Sequence, residues 1–348
     1  MAITIEACAV VGERATAMLG AQTPDLRADE ALVKVRAVAL CTLEQRVFRG
    51  GLKVPLPFVG GHEVSGEIAA LGDGANPKML KVGGRVAVRL LHNCGECYYC
   101  RTGHTNLCVQ AQKKPVREGL YPGPGGLCDY IVVRTSALFP IADALTFEEA
   151  SLTEPLACCV HSVERAESGF GQDVLVVGGG IMGQMHCMLA KLRGARVILS
   201  ETDETRRALG LAHGADVAVD PASQDLEEVI RGLTDGRGAD VAINTTAIPE
   251  VFAQTLHVIG KTGRLVQYSS MHPDGPAPVS PQMLHSSEMV LTGSISPDEV
   301  DFFKANRLLN LGIVSVRKLI SAAYPLREAQ AAFLHAIVPN TFRTIVTD

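Results

Sequence analysis

Cys41, the pair His62-Glu63 and the segment Glu154-Pro155-Leu156 precede a glycine-rich run, Gly178-Gly179-Gly180-Ile181-Met182-Gly183. A thiolate, an imidazole and carboxylates followed by a dinucleotide turn read as zinc-assisted hydride transfer. A metal that polarises an alcohol oxygen serves redox chemistry only where a nicotinamide can take the hydride, so each half of the pattern supports the other.

A second cluster stands apart. Cys94, Cys97, Cys100 and Cys108 are spaced C-x2-C-x2-C-x7-C. Four thiolates in one short loop close a tetrahedral shell around zinc with no open position, which fixes the loop without doing chemistry. The segment, about residues 92–110, is too polar and glycine-rich for four core cysteines, and iron–sulfur spacings differ. It predicts a structural zinc lobe.

The elements that must carry these residues follow from the apolar rhythm. Up to about Pro140, short β-rich runs such as Ala31–Val38 and Gly84–Val88 alternate with Gly/Pro turns, which suggests a β-rich barrel. From about Gly171 the pattern becomes strand, helix, strand: Asp173–Val177, a helix through Leu192, then Ala195–Ser200. Further runs at 216–219, 240–245, 264–268 and 289–292 complete six strands of a doubly wound parallel sheet. An amphipathic helix near 298–311 and a last strand at 344–346 are expected to return to the first domain. The fold class is therefore α/β, with residues 1–145 and 294–348 forming the β-rich part and 146–293 the dinucleotide-binding part.

Within the second part, Gly178, Gly180 and Gly183 permit a tight turn and close approach of a pyrophosphate to a helix N-terminus, where Ile181 and Met182 lie. The next strand ends at Ser200-Glu201, and an acid there suits the adenosine ribose. Glu201 would repel a 2′-phosphate, so NAD is expected over NADP, with Arg206 and Arg207 as the arginines that would favour NADP. Ser269 and Ile295 follow later strands and are expected to contact the cofactor.

The 348 residues, 47% hydrophobic and 20% charged, suit a globular protein, and a net charge of −5 with no lysine or arginine run offers nothing to nucleic acid or an anionic membrane. No basic-apolar leader or membrane-length apolar stretch is present, which points to the cytoplasm, where clustered cysteines favour metal over disulfides.

Taken together, and with Gly125-Gly126-x-x-Asp129-Tyr130 and Glu154-Pro155-Leu156 ahead of His161, the chain resembles the zinc-containing medium-chain dehydrogenases over almost its full length. It looks closest to the polyol branch, such as sorbitol and L-idonate dehydrogenases, and to threonine dehydrogenase. The resemblance implies a GroES-like catalytic domain built from both termini around a Rossmann domain, and a homodimer or homotetramer. It also implies one catalytic zinc held by Cys41 and His62, with Glu63 and Glu154 as ligands directly or through water, beside one structural zinc.

Two segments at the site depart from that pattern. Relatives commonly read Cys-Gly-Ser/Thr-Asp-x-His where this chain has Cys41-Thr42-Leu43-Glu44-Gln45-Arg46. Leu43 removes a proton-relaying hydroxyl, Glu44 takes the place of an aspartate that supports the zinc-binding histidine, and Arg46 replaces a histidine. Arg46 either holds a substrate carboxylate or pairs with Glu44. Ser296-Pro297 stands where sorbitol dehydrogenases carry an Arg-Tyr pair. The expected activity is NAD-linked oxidation of a small polar secondary alcohol (a polyol, sugar or sugar acid) or reduction of its ketone. The alternatives are a zinc-independent quinone or enoyl reductase on the same fold, and a non-catalytic NAD-sensing zinc protein.

Overall fold

Fifteen strands, numbered in chain order, organise the described residues: β1 Thr4–Gly12, β2 Ala15–Gln22, β3 Glu30–Ala39, β4 Glu63–Leu71, β5 Arg85–Arg89, β6 Tyr130–Arg134, β7 Leu138–Pro140, β8 Asp173–Val177, β9 Arg196–Ser200, β10 Val217–Val219, β11 Ala239–Asn244, β12 Ile259–Gln267, β13 Val290–Gly293, β14 Ile320–Pro325 and β15 Arg343–Thr347. The computed structural model describes residues 3–111, 120–272 and 274–348. Contacts divide the chain into one unit ending at Ala157 and resuming over Asp298–Asp348, and a second over Cys158–Pro297.

The first unit is built on a sheet ordered β14-β15-β3-β4-β5-β7, with β6 also paired to β3. Its runs of Val, Ala and Ile face a core holding Leu40, Phe48, Ile68, Leu127 and Phe333, each under 2% exposed. Phe48, from the helix Thr42–Phe48, stacks on Phe333, from the helix Ala329–Ala336, at 4.8 Å between centroids. That contact and the antiparallel pairing of β15 with β3 bring the C-terminal segment onto the barrel.

The boundary lies later than the sequence rhythm placed it, at 157/158 rather than 145/146. The helix Phe147–Ser151 packs on β3, β4 and β5. The Ser65 hydroxyl donates to the Phe147 carbonyl and the Arg85 guanidinium lies 4.5 Å from the Phe147 ring centroid. These contacts hold the segment to the barrel.

The second unit is a six-stranded sheet ordered β10-β9-β8-β11-β12-β13, all parallel. Central β8, Asp-Val-Leu-Val-Val, is buried throughout, as a parallel strand covered on both faces must be. The helix Ile181–Leu192 follows β8 directly and buries Met185, Cys187 and Ala190 completely. Among the described residues no helix is long and apolar enough to cross a membrane.

Candidate metal centres and dinucleotide turn

Three strand ends meet in the first unit. Cys41 follows β3, His62 immediately precedes β4 and Glu63 opens it, and Arg343 opens β15. Because β4 and β15 both run antiparallel to β3, with Glu63 and Ile345 opposite Ala39, these residues collect at one end of the sheet. One donor atom each from Cys41, His62 and Glu63 lie within 4.8 Å of one another.

Glu44 holds this arrangement. Its Oε1 takes His62 Nδ1 at 2.9 Å and the Gly61 N–H at 2.9 Å, while Oε2 accepts the Cys41 N–H at 3.1 Å. With Nδ1 engaged, Nε2 is the imidazole atom left to bind a metal. Gly60 and Gly61 are required locally. A Cβ at Gly60 would stand 2.7 Å from Glu44 Cγ, and Gly61 has φ +88°. The longer carboxylate thus performs the supporting task that the resemblance gives to an aspartate.

Arg343 is the residue that sequence reasoning missed. It is buried, and it grips Glu63 in a fork: Nε to Oε2 at 2.9 Å and Nη2 to Oε1 at 2.6 Å, with Nη2 also 3.5 Å from Cys41 Sγ. Burial raises the Glu63 carboxyl well above its ordinary range and the Arg343 charge opposes that, and the two-point fork is the geometry in which a guanidinium holds a carboxylate. Burial alone would push the Cys41 thiol up, but Arg343 and His62 overcome it and bring it to about 6. On His62 burial works the other way, against the proton, and the charge of Glu44 outweighs it. The only signal in the sequence was a charged residue opening the otherwise apolar strand Thr344-Ile345-Val346.

The four-cysteine lobe fits zinc by its own distances. The sulfurs of Cys97 and Cys100, of Cys108 and Cys94, and of Cys94 and Cys100 lie 3.5, 3.5 and 3.9 Å apart. A tetrahedron with metal–sulfur bonds of about 2.3 Å has edges of about 3.8 Å. Backbone N–H groups point at the sulfurs: Cys97 N–H to Cys94, Cys94 N–H to Cys108 and Gln110 N–H to Cys108, at 3.3–3.4 Å. Such donors favour thiolates.

In the second unit, Gly180 caps the helix Ile181–Leu192 without a side-chain acceptor. The first N–H groups of that helix are free to face an anion. A Cβ on Gly183 would fall 1.8 Å from the Gly178 carbonyl oxygen, so that glycine serves the turn itself. Around Gly180 nothing lies within 4 Å of the same imaginary atom. Its missing side chain answers to no neighbour and leaves open space in front of the helix. Glu201 Oε2 accepts the Gly179 N–H at 2.6 Å, and Oε1 accepts the Asp203 N–H at 2.9 Å. Arg207 is tied to the carbonyls of Glu201 and Thr202 at 2.8 and 2.7 Å and faces Asp220 at 3.6 Å. Ser269 and Ile295 lie just past the carboxyl ends of β12 and β13, and Ile295 is exposed.

Comparison with known proteins agrees with this geometry. Residues 27–143 match the alcohol dehydrogenase GroES-like domain and 182–310 the zinc-binding dehydrogenase domain. A D-arabitol-phosphate dehydrogenase from Enterococcus avium is 32% identical over 337 residues, 95% of this chain and 93% of its own length. The chain belongs to the zinc-binding dehydrogenase family. A sorbitol dehydrogenase from Bacillus subtilis is 31% identical, with 90% of this chain and 88% of that one covered. Among solved structures, a Sinorhizobium meliloti protein assigned to the zinc-binding dehydrogenases and bound to NADP is 26% identical with a TM-score of 0.88, covering 99% of this chain and 100% of that one.

Against this zinc-binding dehydrogenase background, one expected ligand, Glu154, does not join the donor group. Glu154 is buried, and its charge bears on Glu63 and Arg343, but it lies outside the 4.8 Å set. Arg46 makes no ion pair with Glu44, whose carboxylate is spent on His62, Gly61 and Cys41. Leu43 offers no hydroxyl, and Thr42 Oγ1, 3.7 Å from Cys41 Sγ, is the nearest one on that helix.

Proposed function

We propose that this chain is an NAD-dependent zinc dehydrogenase of small polar secondary alcohols: polyols, sugars or sugar acids. The observation that carries the reading is the mixed sulfur, nitrogen and oxygen group of Cys41, His62 and Glu63, with His62 held by Glu44. Bound zinc supplies Lewis acidity toward the substrate hydroxyl, and the nicotinamide takes up hydride. Cys41 as thiolate and His62 through Nε2 would hold the ion, with Glu63 as the nearby oxygen donor and Glu154 acting at longer range. Arg343 balances the negative charge of Cys41 and Glu63 and so limits repulsion in the buried site. Leu43 holds no proton, which leaves the Thr42 hydroxyl as the helix's route for one.

In the other unit, Gly178, Gly180, Ile181, Met182 and Gly183 would cradle the pyrophosphate, Glu201 would take the ribose diol, and Ser269 and Ile295 would contact the nicotinamide end. NAD is preferred because the Glu201 carboxylate suits a ribose diol and not a 2′-phosphate, and Arg207 is already engaged. The names of the relatives, a polyol phosphate and a polyol dehydrogenase, support the substrate class. Ten free cysteines suit a reducing cytoplasm, and the open edge at β13 suits assembly as a homodimer or homotetramer.

The test is elemental analysis joined to a substrate screen. Purified protein should carry two zinc ions per chain; Cys41→Ser should lose one together with turnover, and Cys100→Ser the other. Polyols and aldonic acids offered with NAD should produce nicotinamide absorbance, with NADP giving less. A single zinc indifferent to Cys41→Ser would remove the metal-catalysis reading.

A further inference from the structure

Arg89 closes β5 directly opposite Glu63 in the β4–β5 ladder. Residues directly opposite in an antiparallel pair share a face, with Cβ atoms about 4.5–5.5 Å apart. Arg89 therefore lies on the side from which Glu63 reaches Arg343 and Cys41. The residue is 7% exposed, and its Nε is enclosed with no acceptor. Among the described residues its guanidinium makes no hydrogen bond and no ion pair.

The contrast with Arg343 is instructive, since that buried arginine spends its fork on Glu63. Around Arg89 the charges of Glu299, Asp298, Glu154 and Asp301 act without reaching contact, against the desolvation that burial imposes. Asp298 and Asp301 are occupied, each accepting the other's backbone N–H at 2.8 and 3.0 Å. A desolvated cation with nothing paired to it is costly to a fold. A guanidinium with free N–H donors is the side chain best shaped for a carboxylate or phosphate.

We propose that Arg89 anchors an anionic substituent, a carboxylate or a phosphate, on a polyhydroxylated substrate, and so makes the enzyme selective for anionic over neutral polyols. The proposal rests on the reading of this site as a polyhydroxy-alcohol dehydrogenase. Arg46, the arginine that the sequence suggested for such a role, sits two positions along its helix from Glu44, and such positions do not share a face.

The experiment compares the zinc-loaded parent with Arg89→Met and Arg89→Lys in NAD reduction by L-galactonate and D-gluconate, by D-arabitol 5-phosphate, and by sorbitol and D-arabitol. The parent should favour one anionic series, and which one names the oxyanion. In Arg89→Met the ratio of kcat/KM for that series to kcat/KM for the neutral polyols should fall by about 10- to 100-fold, the scale of a lost charged hydrogen bond. Arg89→Lys should keep part of it. A second readout needs no turnover: the favoured anion should raise the thermal midpoint of the NADH-saturated parent, and not that of Arg89→Met. Ligand-free Arg89→Met should melt no lower than the parent, because an unpartnered charge has been replaced by an apolar chain, whereas loss of a structural arginine would lower the midpoint. A parent that prefers neutral polyols, or a ratio unmoved by Arg89→Met, overturns the proposal while leaving the dehydrogenase reading intact. If nothing in any series is oxidised, that reading fails and this assignment falls with it.

Discussion

The two units prepare their chemistry by opposite means. The barrel unit gathers charged and ionisable side chains from far apart in sequence, Cys41, Glu44, His62, Glu63 and Arg343, and buries them against one another. The nucleotide unit relies on the backbone of a single turn, Gly178–Gly183, with Glu201 braced by N–H groups of its neighbours. Where desolvated charges neutralise each other, losing one strands the rest. Where backbone does the work, a single added Cβ is the sensitive lever.

The strongest way to break that contrast is Arg343→Ala. It leaves Glu63 buried and unpaired and should destabilise the protein by about 3–5 kcal/mol in urea unfolding. The double variant Arg343→Met with Glu63→Met should recover most of this. A double variant as unstable as the single would show that packing, not charge, dominates at the site. Next in size, Glu44→Ala should weaken zinc binding at the Cys41 centre by about 10- to 100-fold, the usual effect of removing a ligand's supporting partner. Chelator competition should find the Cys94–Cys108 lobe unaffected.

The nucleotide unit has a histidine that sharpens the comparison. His186 donates its Nδ1–H to the Met182 carbonyl at 2.7 Å, its Nε2 is enclosed without a partner, and burial holds it down to about 4 from an ordinary 6.5. Unfolded chains take up this proton near the ordinary value, and the native state refuses it until the depressed one. Stability present above pH 6.5 is therefore lost as pH falls toward 4. Between pH 7 and 5 the loss from this group should be about 2 kcal/mol. His186→Leu should remove that part of the slope in paired denaturant titrations; identical slopes would mean the imidazole is hydrated in solution. The smallest effect on stability is expected from Gly180→Ala, within about 1 kcal/mol for a cap position. It should nonetheless weaken NADH binding in a fluorescence titration. Normal NADH affinity would show that the space in front of Gly180 is not the pyrophosphate seat.

What was legible in the sequence follows the same division. The Cys94–Cys108 spacing, the Gly178–Gly183 turn and the apolar runs that became β8 to β13 are local patterns, and local patterns survive without a fold. Arg343 and Glu63 are 280 positions apart, and only the antiparallel docking of β15 on β3 joins them. Arg89 was invisible for the same reason, since its importance depends on which strand lies beside it and on the absence of an acceptor. Glu44 was identified as a departure, but whether a longer carboxylate could serve depended on how closely the turn at Gly60 approached the helix. The boundary at Ala157 was missed because the contacts of Phe147 with Ser65 and Arg85 override the change of rhythm along the chain.

The closeness of Glu44 to Gly60 has an evolutionary consequence. With Glu44 Cγ 2.7 Å from where a Cβ would stand, residue 60 has no freedom while residue 44 is glutamate. Aspartate at position 44 would keep a Cγ on the same Cβ, so shortening the side chain by one carbon opens no room there. Alanine at position 60 becomes tolerable only where position 44 has lost its Cγ altogether, and the carboxylate that supports His62 goes with it. An alanine at 60 in a descendant would record that the support of the histidine had already passed to another group.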